Sequence, residues 1–182
     1  MRKFYCFIII AILSISVPIH AQHLKFMEIP LNGTITQFQE KLKAKGMRYD
    51  KFTSQQFPAG ARFFNGVFAG NKANLIVYYD AKTKIVWRAK VTIDYQTKEI
   101  WQRKYSEMRE ILLKKYGYDS EYYDGEQDGE DAFELHVRDT KGKTLGRINL
   151  YFGKYEYDYK LFICYTDEQN EEQNNNSKMR DF

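Results

Sequence analysis

The stretch FFNGVFAGNKANLIVYYDAKTKIVWRAKVTI, residues 63–93, predicts three consecutive β-strands joined by two tight turns that contain Gly, Asn and Asp. The alternation of side chains is strictest in the third strand. There one row consists of Trp87, Ala89, Val91 and Ile93, and the opposite row is mostly polar. A repeat of two residues indicates a strand with one buried face. We therefore expect an antiparallel sheet whose buried face contains the Trp87–Ile93 row.

Two amphipathic helices are predicted, one on each side of this stretch. The first covers residues 34–45 and begins at a capping box, which either Thr34 with Gln37 or Thr36 with Gln39 can form. The second covers residues 97–116 and carries the most regular apolar stripe in the chain. That stripe has helical spacing and consists of Trp101, Tyr105, Met108 and Leu112. We expect the stripe to pack on the Trp87–Ile93 row.

A second run of strands is predicted over residues 120–165, so the order is helix–meander–helix–meander. This order predicts an α+β fold with antiparallel sheet, in which residues 22–166 form one domain. Two arrangements fit. In an internal duplication, residues 32–95 and 96–166 are two helix-plus-sheet units, either side by side or in one continuous sheet. In the other arrangement, a single sheet carries both helices on one face.

The first 21 residues have the layout of a secretory signal peptide. Arg2 and Lys3 precede an apolar run over Phe4–Val17, and Ala21 is suitably small for the residue before a cleavage site. The apolar run is shorter than the roughly 20 residues of a membrane-spanning helix. We therefore expect residues 1–21 to be removed, no membrane span in the mature chain, and a mature protein in the periplasm or outside the cell.

The last residues, 167–182, are rich in Asn, Gln and Glu and have almost no apolar side chains. Such a segment cannot bury enough apolar surface to offset the entropy lost on ordering. The composition therefore predicts a disordered polar tail.

A resemblance rests on the opening IPLNGTITQFQEKLKAKGM, residues 29–47, together with VFAG, VYYD and VW in the strands. In these features the chain resembles the small exported proteins common in Bacteroidetes-type bacteria, which implies export but no established activity. It is similar, less closely, to modules of the β-lactamase-inhibitor-protein and outer-membrane-assembly lipoprotein type. In those modules a Gly-Thr-capped helix precedes an antiparallel sheet, as Gly33-Thr34 does here. The chain lacks their lipid-anchor cysteine and paired cysteines, and no site residues are carried over.

The sequence contains no motif for nucleotide or zinc chemistry and no nucleophile elbow, so no catalytic residue and no cofactor are assigned. A catalytic pair would require Cys164 as the thiol nucleophile and His136 as its base. Cys164 lies among apolar residues, which is typical of a buried inert thiol. The formal net charge is +4 without a basic stripe, and this argues against a nucleic-acid partner.

An acidic segment follows the second helix. Asp124, Glu126 and Asp128, followed by Gly129, match the first half of a calcium loop. The match ends at Leu135, which stands where a bidentate Glu is required, and strands rather than helices flank the segment. These three acids are therefore weak metal candidates, and we interpret the segment as a solvated hairpin loop with no metal site.

Tyrosine is unusually frequent, with 15 residues in the chain. This number exceeds what one core accommodates, and exposed Tyr beside Arg or Lys suits contacts with a protein or a glycan. Tyr122, Tyr123, Tyr155 and Tyr157 are the weak ligand-binding candidates.

These observations favour an exported non-enzymatic binding or interaction module of the bacterial envelope, with a protein or glycan partner. The alternatives are a small periplasmic enzyme of unrecognised type and an envelope assembly or structural protein.

Overall fold

One large antiparallel sheet organises the chain in the computed structural model, which describes residues 22–95, 97–117, 120–127, 130–155 and 158–179. The strands are β1 Lys25–Phe26, β2 Ile29–Pro30, β3 Arg48–Tyr49, β4 Ala61–Phe68, β5 Asn71–Tyr79, β6 Val86–Tyr95, β7 Glu121–Gln127, β8 Glu130–Arg138, β9 Thr144–Tyr155 and β10 Asp158–Asp167. The helices are α1 Ile35–Ala44, α2 Lys51–Ser54, α3 Lys98–Tyr116 and α4 Glu168–Met179. The predicted signal peptide lies outside the described residues.

The sheet has eight strands in the order β3-β4-β5-β6-β10-β9-β8-β7, and β1 and β2 form a separate hairpin. The prediction of an α+β fold with antiparallel sheet is confirmed. Strands β6 and β10 pair at the centre, where Val91 lies opposite Ile163. Both halves of the chain therefore contribute to one continuous sheet, and they do not form two separate sheets.

One face of this sheet contributes its apolar side chains to the hydrophobic core. The strand register aligns a row of fully buried side chains across six strands. That row is Phe64, Leu75, Val91, Ile163, Leu150 and Phe133. The helices α1 and α3 and the β1–β2 hairpin bury their apolar residues against this side, which we call the covered face. Because a sheet row and a helix stripe each need an apolar partner, this packing supplies most of the hydrophobic stabilisation.

Helix α3 packs on β9 and β10, two strands that follow it in the chain. The ring of Tyr105 lies 4.8 Å from that of Phe152 in β9, and Trp101 lies 6.1 Å from Tyr159 in β10. The stripe of α3 thus shares the covered face with Ala89, Val91 and Ile93, as expected, but its principal ring contacts are with β9 and β10. Helix α1 begins after Thr34, whose capping box with Gln37 is present.

The prediction that Trp87 belongs to the buried row is wrong. The pairing of β5 with β6 shifts between Tyr78 and Tyr79, so that Tyr78 lies opposite Arg88 and Tyr79 opposite Val86. This bulge turns Val86 into the core and leaves Trp87 partly exposed on the other face.

The prediction of a disordered tail is wrong over Glu168–Met179, which form α4. This helix is held by polar contacts rather than by an apolar stripe. The carboxylate of the fully buried Asp167 accepts hydrogen bonds from the backbone N–H of Asn170 and Leu24, each at 3.0 Å. The Asn170 side-chain amide donates to the carbonyl oxygens of Leu31 at 2.7 Å and Val86 at 3.1 Å. The partners Leu24, Leu31 and Val86 are distant in sequence, so composition does not reveal these contacts, whereas the hydrogen bond from Asn170 N–H to Asp167 spans only three residues.

Replacing Asn170 by Ala is expected to lower the free energy of unfolding by about 1–3 kcal/mol, because two buried carbonyl oxygens lose their donor. Asn175→Ala, at an exposed position of the same helix, is the matched control and should change stability by less than about 0.5 kcal/mol. Urea denaturation of both variants measures the difference. Equal stabilities of the two variants would contradict the anchoring of α4 through Asn170.

No helix in the described ranges is both long and apolar enough to cross a lipid bilayer.

Candidate functional site

The face of the sheet opposite the core carries the candidate site. Residues that alternate with the core row lie on this side, which we call the open face. Its central side chains come from β5, β6, β9 and β10 and are Ile76, Tyr78, Trp87, Arg88, Lys90, Arg147, Asn149, Tyr151, Phe162, Cys164 and Thr166. Most of them are partly exposed, whereas the opposite face lies under α1, α3 and the β1–β2 hairpin.

An aromatic pair with a lysine occupies the centre of the open face. The rings of Tyr151 and Phe162 stack at 5.1 Å on neighbouring strands. The Nζ atom of Lys90 lies 4.3 Å from the Phe162 ring centre and 5.6 Å from that of Tyr151. These distances permit attraction between the ammonium group and both ring faces. No ion pair of Lys90 is formed within the described residues.

A second aromatic group lies beside it. The rings of Tyr78 and Trp87 are 5.8 Å apart, and the guanidinium of Arg88 lies 4.5 Å from the Trp87 ring centre. The bulge that removes Trp87 from the core therefore places it in a cationic and aromatic surface. Large rigid rings of this kind contribute contact area at a small cost in conformational entropy.

Helix α4 reaches this face through Glu171. One carboxylate oxygen accepts a hydrogen bond from Arg88 Nη2 at 2.8 Å, and the other lies 2.7 Å from Arg147 Nη2. Arg88 Nε also donates to Thr166 Oγ1 at 3.0 Å. The two guanidinium groups are thereby fixed in place, and one carboxylate offsets only part of their charge.

A polar cluster lies towards β8. His136 Nε2 is 2.7 Å from Glu134 Oε1, and Asn149 donates to the other carboxylate oxygen. Burial alone raises the pKa of Glu134, but the hydrogen bonds from Asn149 and His136 outweigh it and lower that pKa below its ordinary value. Glu134 is therefore an ionised acceptor, and its oxygens are engaged by these two partners.

Cys164 and His136 do not come together. They belong to β10 and β8, with β9 between them, and two strand spacings amount to about 10 Å. The nearest polar partner of the Cys164 sulfur is the Tyr151 hydroxyl, at 3.9 Å. Burial raises the pKa of the Cys164 thiol, so the thiolate required of a nucleophile is disfavoured.

The tyrosine candidates fall into two groups. Tyr122 and Tyr123 are 50% and 57% exposed and point to opposite faces of β7, at the end of the sheet. Tyr123 packs edge-on against His136 at 5.6 Å, and Tyr122 lies 6.0 Å from Phe133. Tyr155 lies at the end of β9, and its side chain is outside the description. Tyr157 lies outside the described residues.

The acidic candidates do not form a calcium loop in the described residues. Asp124 and Glu126 lie within β7, so the interpretation of residues 124–127 as a loop is wrong. Both oxygens of Asp124 are bound by Arg109, at 3.0 Å and 2.7 Å. Asp128 lies outside the described residues. Within the described ranges, no group of three or more His, Cys, Asp or Glu side chains is placed to hold a metal ion.

Sequence reasoning placed Arg88 and Lys90 on the polar side of β6 but missed the aromatic partners of both. A local signal was present only for Tyr151, which is partly exposed between the buried residues Leu150 and Phe152, because Phe162 lies in a run of buried residues in β10. The order of the strands is needed to bring them next to Lys90.

No protein-family model, no curated protein and no solved structure matches the chain. The functional argument therefore rests on the geometry of the open face.

Proposed function

We propose that the protein is an exported non-enzymatic binding module of the bacterial envelope, and that it holds a partner protein against the open face. The observation that carries the proposal is the combination, on the partly exposed open face, of Trp87, Tyr78, Tyr151 and the cations Arg88 and Lys90. Trp, Tyr and Arg are the residue types that dominate protein–protein binding energy. Export is supported by the layout of residues 1–21.

The arrangement favours a protein over a glycan because the side chains are spread across four neighbouring strands and their positions are fixed. The guanidinium groups of Arg88 and Arg147 are held by Glu171, and Lys90 is held over two rings. Side chains that are already ordered lose little entropy on association. A broad and rigid surface of this kind matches a protein partner.

The charges define the chemistry of the partner. Arg88, Lys90 and Arg147 face the same surface, and Glu171 is the acid bound between the two arginines. A partner that presents a carboxylate towards Lys90, with apolar side chains around it, would complement both the charge and the rings. We therefore propose an acidic protein surface as the ligand.

The test uses the immobilised full chain and a cell-envelope extract. Lys90→Glu should reduce retention of one defined protein at least tenfold. Lys43→Glu is the matched charge reversal at an exposed position of α1 and should leave retention unchanged. A photo-activated cross-linker introduced at residue 76 should join the same protein.

Two results would contradict the proposal. One is equal retention by the wild-type chain and Lys90→Glu, when both unfold at the same temperature. The other is retention that survives protease treatment of the extract and is lost after glycosidase treatment, since this would identify a glycan as the ligand.

A further inference from the structure

The strand β7 ends the sheet with one edge that has no backbone partner in the described part of the chain. It pairs with β8 alone over the seven residues Glu121–Gln127. Its outward N–H and C=O groups therefore form an available template for another strand. This edge is distinct from the open face.

The other end of the sheet is protected. There β3 has only two residues. In the neighbouring strand β4, the backbone groups of Phe63 already have hydrogen-bond partners. The Phe63 N–H donates to Ser54 Oγ at 2.8 Å, and the Phe63 carbonyl accepts from Asp50 N–H at 3.0 Å. Proteins commonly block an edge strand by such means. The chain thus closes one edge of its sheet and leaves the other long and accessible.

Two large side chains flank the accessible edge. Tyr123 is 57% exposed and Tyr122 is 50% exposed, and the two side chains lie on opposite faces of β7. A strand added beside β7 would place its own alternating side chains against one tyrosine on each face. Backbone hydrogen bonds supply affinity in this binding mode, and the flanking side chains supply selectivity.

The charge around the edge identifies the incoming strand. The strands β7 and β8 contain six acids and one arginine, Arg138, and the acids are Glu121, Asp124, Glu126, Glu130, Asp131 and Glu134. Arg138 pairs with Glu121 at 2.7 Å, and Arg109 pairs with Asp124. The two guanidinium groups offset two of the six carboxylates, so the hairpin of β7 and β8 carries net negative charge.

A second copy of the chain does not fit this edge, because β7 would meet an equally acidic strand and like charges opposite one another destabilise a sheet. We propose instead that β7 accepts, as a ninth strand, an extended segment of a partner protein in which Lys or Arg alternates with apolar residues. The basic side chains pair with the acids of the hairpin, and the apolar ones contact Tyr122 or Tyr123.

The test titrates the full chain with a ten-residue peptide of alternating Lys and Val, labelled for fluorescence anisotropy. Binding should saturate and should weaken as salt rises, since the ion pairs are exposed. Hydrogen exchange should slow at alternate backbone amides of Glu121–Gln127. The same peptide with Glu in place of Lys should bind at least tenfold more weakly.

Two variants sharpen the result. Glu121→Lys, at an exposed position of β7, should weaken binding of the Lys–Val peptide about tenfold, whereas Glu172→Lys, the same change at an exposed position of α4, should not. Tyr123→Ala should weaken it severalfold. Lys90→Glu should leave it unchanged, so the result for this edge is independent of the result for the open face.

Three outcomes would overturn the proposal. The first is no saturable binding of the Lys–Val peptide. The second is binding without slower exchange in β7, which would place the peptide elsewhere. The third is a dimer in sedimentation whose formation is abolished by Tyr123→Ala, which would make a second copy of the chain the occupant.

Discussion

Replacing Phe26 by Ala is expected to lower the free energy of unfolding by about 3–5 kcal/mol, the range found when a fully buried aromatic side chain is removed. Phe26 is 0% exposed in the β1–β2 hairpin. Its ring stacks on Phe68 at 5.5 Å and meets Tyr165 edge-on at 5.2 Å, so it joins the hairpin to β4 and β10. The cavity left by the substitution would open between elements that are far apart in sequence.

Phe52→Ala is the matched control for this prediction. Phe52 is 75% exposed in α2, so the same change of side chain should alter stability by less than about 0.5 kcal/mol. Denaturation by guanidinium chloride, monitored by circular dichroism, measures both variants. A loss below about 1 kcal/mol for Phe26→Ala would show that the hairpin does not belong to the core.

Gly146→Ala is expected to be the most disruptive single-methyl substitution in the sheet. A Cβ atom at residue 146 would overlap the carbonyl oxygen of Thr166 and come within 3.1 Å of its carbonyl carbon. Both atoms belong to the backbone of β10, which pairs directly with β9 and cannot move aside without disturbing that pairing. Overpacking of this kind costs about 1–3 kcal/mol, or more where backbone must shift.

The matched control is Gly125→Ala in β7. A Cβ atom there would meet no heavy atom within 4 Å, so the substitution is expected to be neutral or to stabilise by about 0.5 kcal/mol. Thermal unfolding of both variants provides the comparison. If Gly146→Ala unfolds at the wild-type temperature, the register of β9 against β10 described above is wrong.

The parts of the fold that depend on neighbouring residues were predictable from sequence. The alternation of apolar and polar side chains in β6 predicts a strand, and the apolar stripe of α3 predicts a helix, because each pattern repeats within one element. The capping box at Thr34 likewise involves residues only three positions apart. Together these local signals were sufficient for the α+β class.

The hairpin around Phe26 was less visible. Its turn consists of Met27 and Glu28, which adopt positive φ angles of 50° and 65° although neither is Gly, Asn or Asp. Turn positions with positive φ are usually occupied by those residue types, which makes such turns predictable from sequence. The turn is held by contacts with distant residues, which include the packing of Phe26 on β4 and β10 and the ion pair of Glu28 with Lys115, and the local sequence does not reveal such contacts.

Two further errors have the same origin. Trp87 fitted the apolar alternation of β6, and the bulge that removes it from the core arises from the pairing with β5. Helix α4 has almost no apolar residues, and it is held in place because Asp167 accepts from the backbone N–H of Leu24 and Asn170 donates to the carbonyl oxygens of Leu31 and Val86. In both cases the structure depends on an interaction between segments that are far apart in the sequence.

The open face depends on strand order in the same way. Lys90 and Phe162 belong to β6 and β10, which are separated by three strands and a helix along the chain and are neighbours in the sheet. The sequence predicts the polar row of β6. The candidate site forms because β6 and β10, which come from different halves of the chain, are neighbours at the centre of the sheet.

The most direct test of a sheet with one covered and one open face uses the two tryptophans. Trp101→Phe leaves Trp87 on the open face as the only tryptophan, and Trp87→Phe leaves Trp101, which is buried between α3 and the covered face. Acrylamide should quench Trp87 several times more strongly than Trp101, and the emission of Trp87 should lie at longer wavelength. Equal shielding of the two tryptophans in folded protein would contradict the account, because the open face would then be covered.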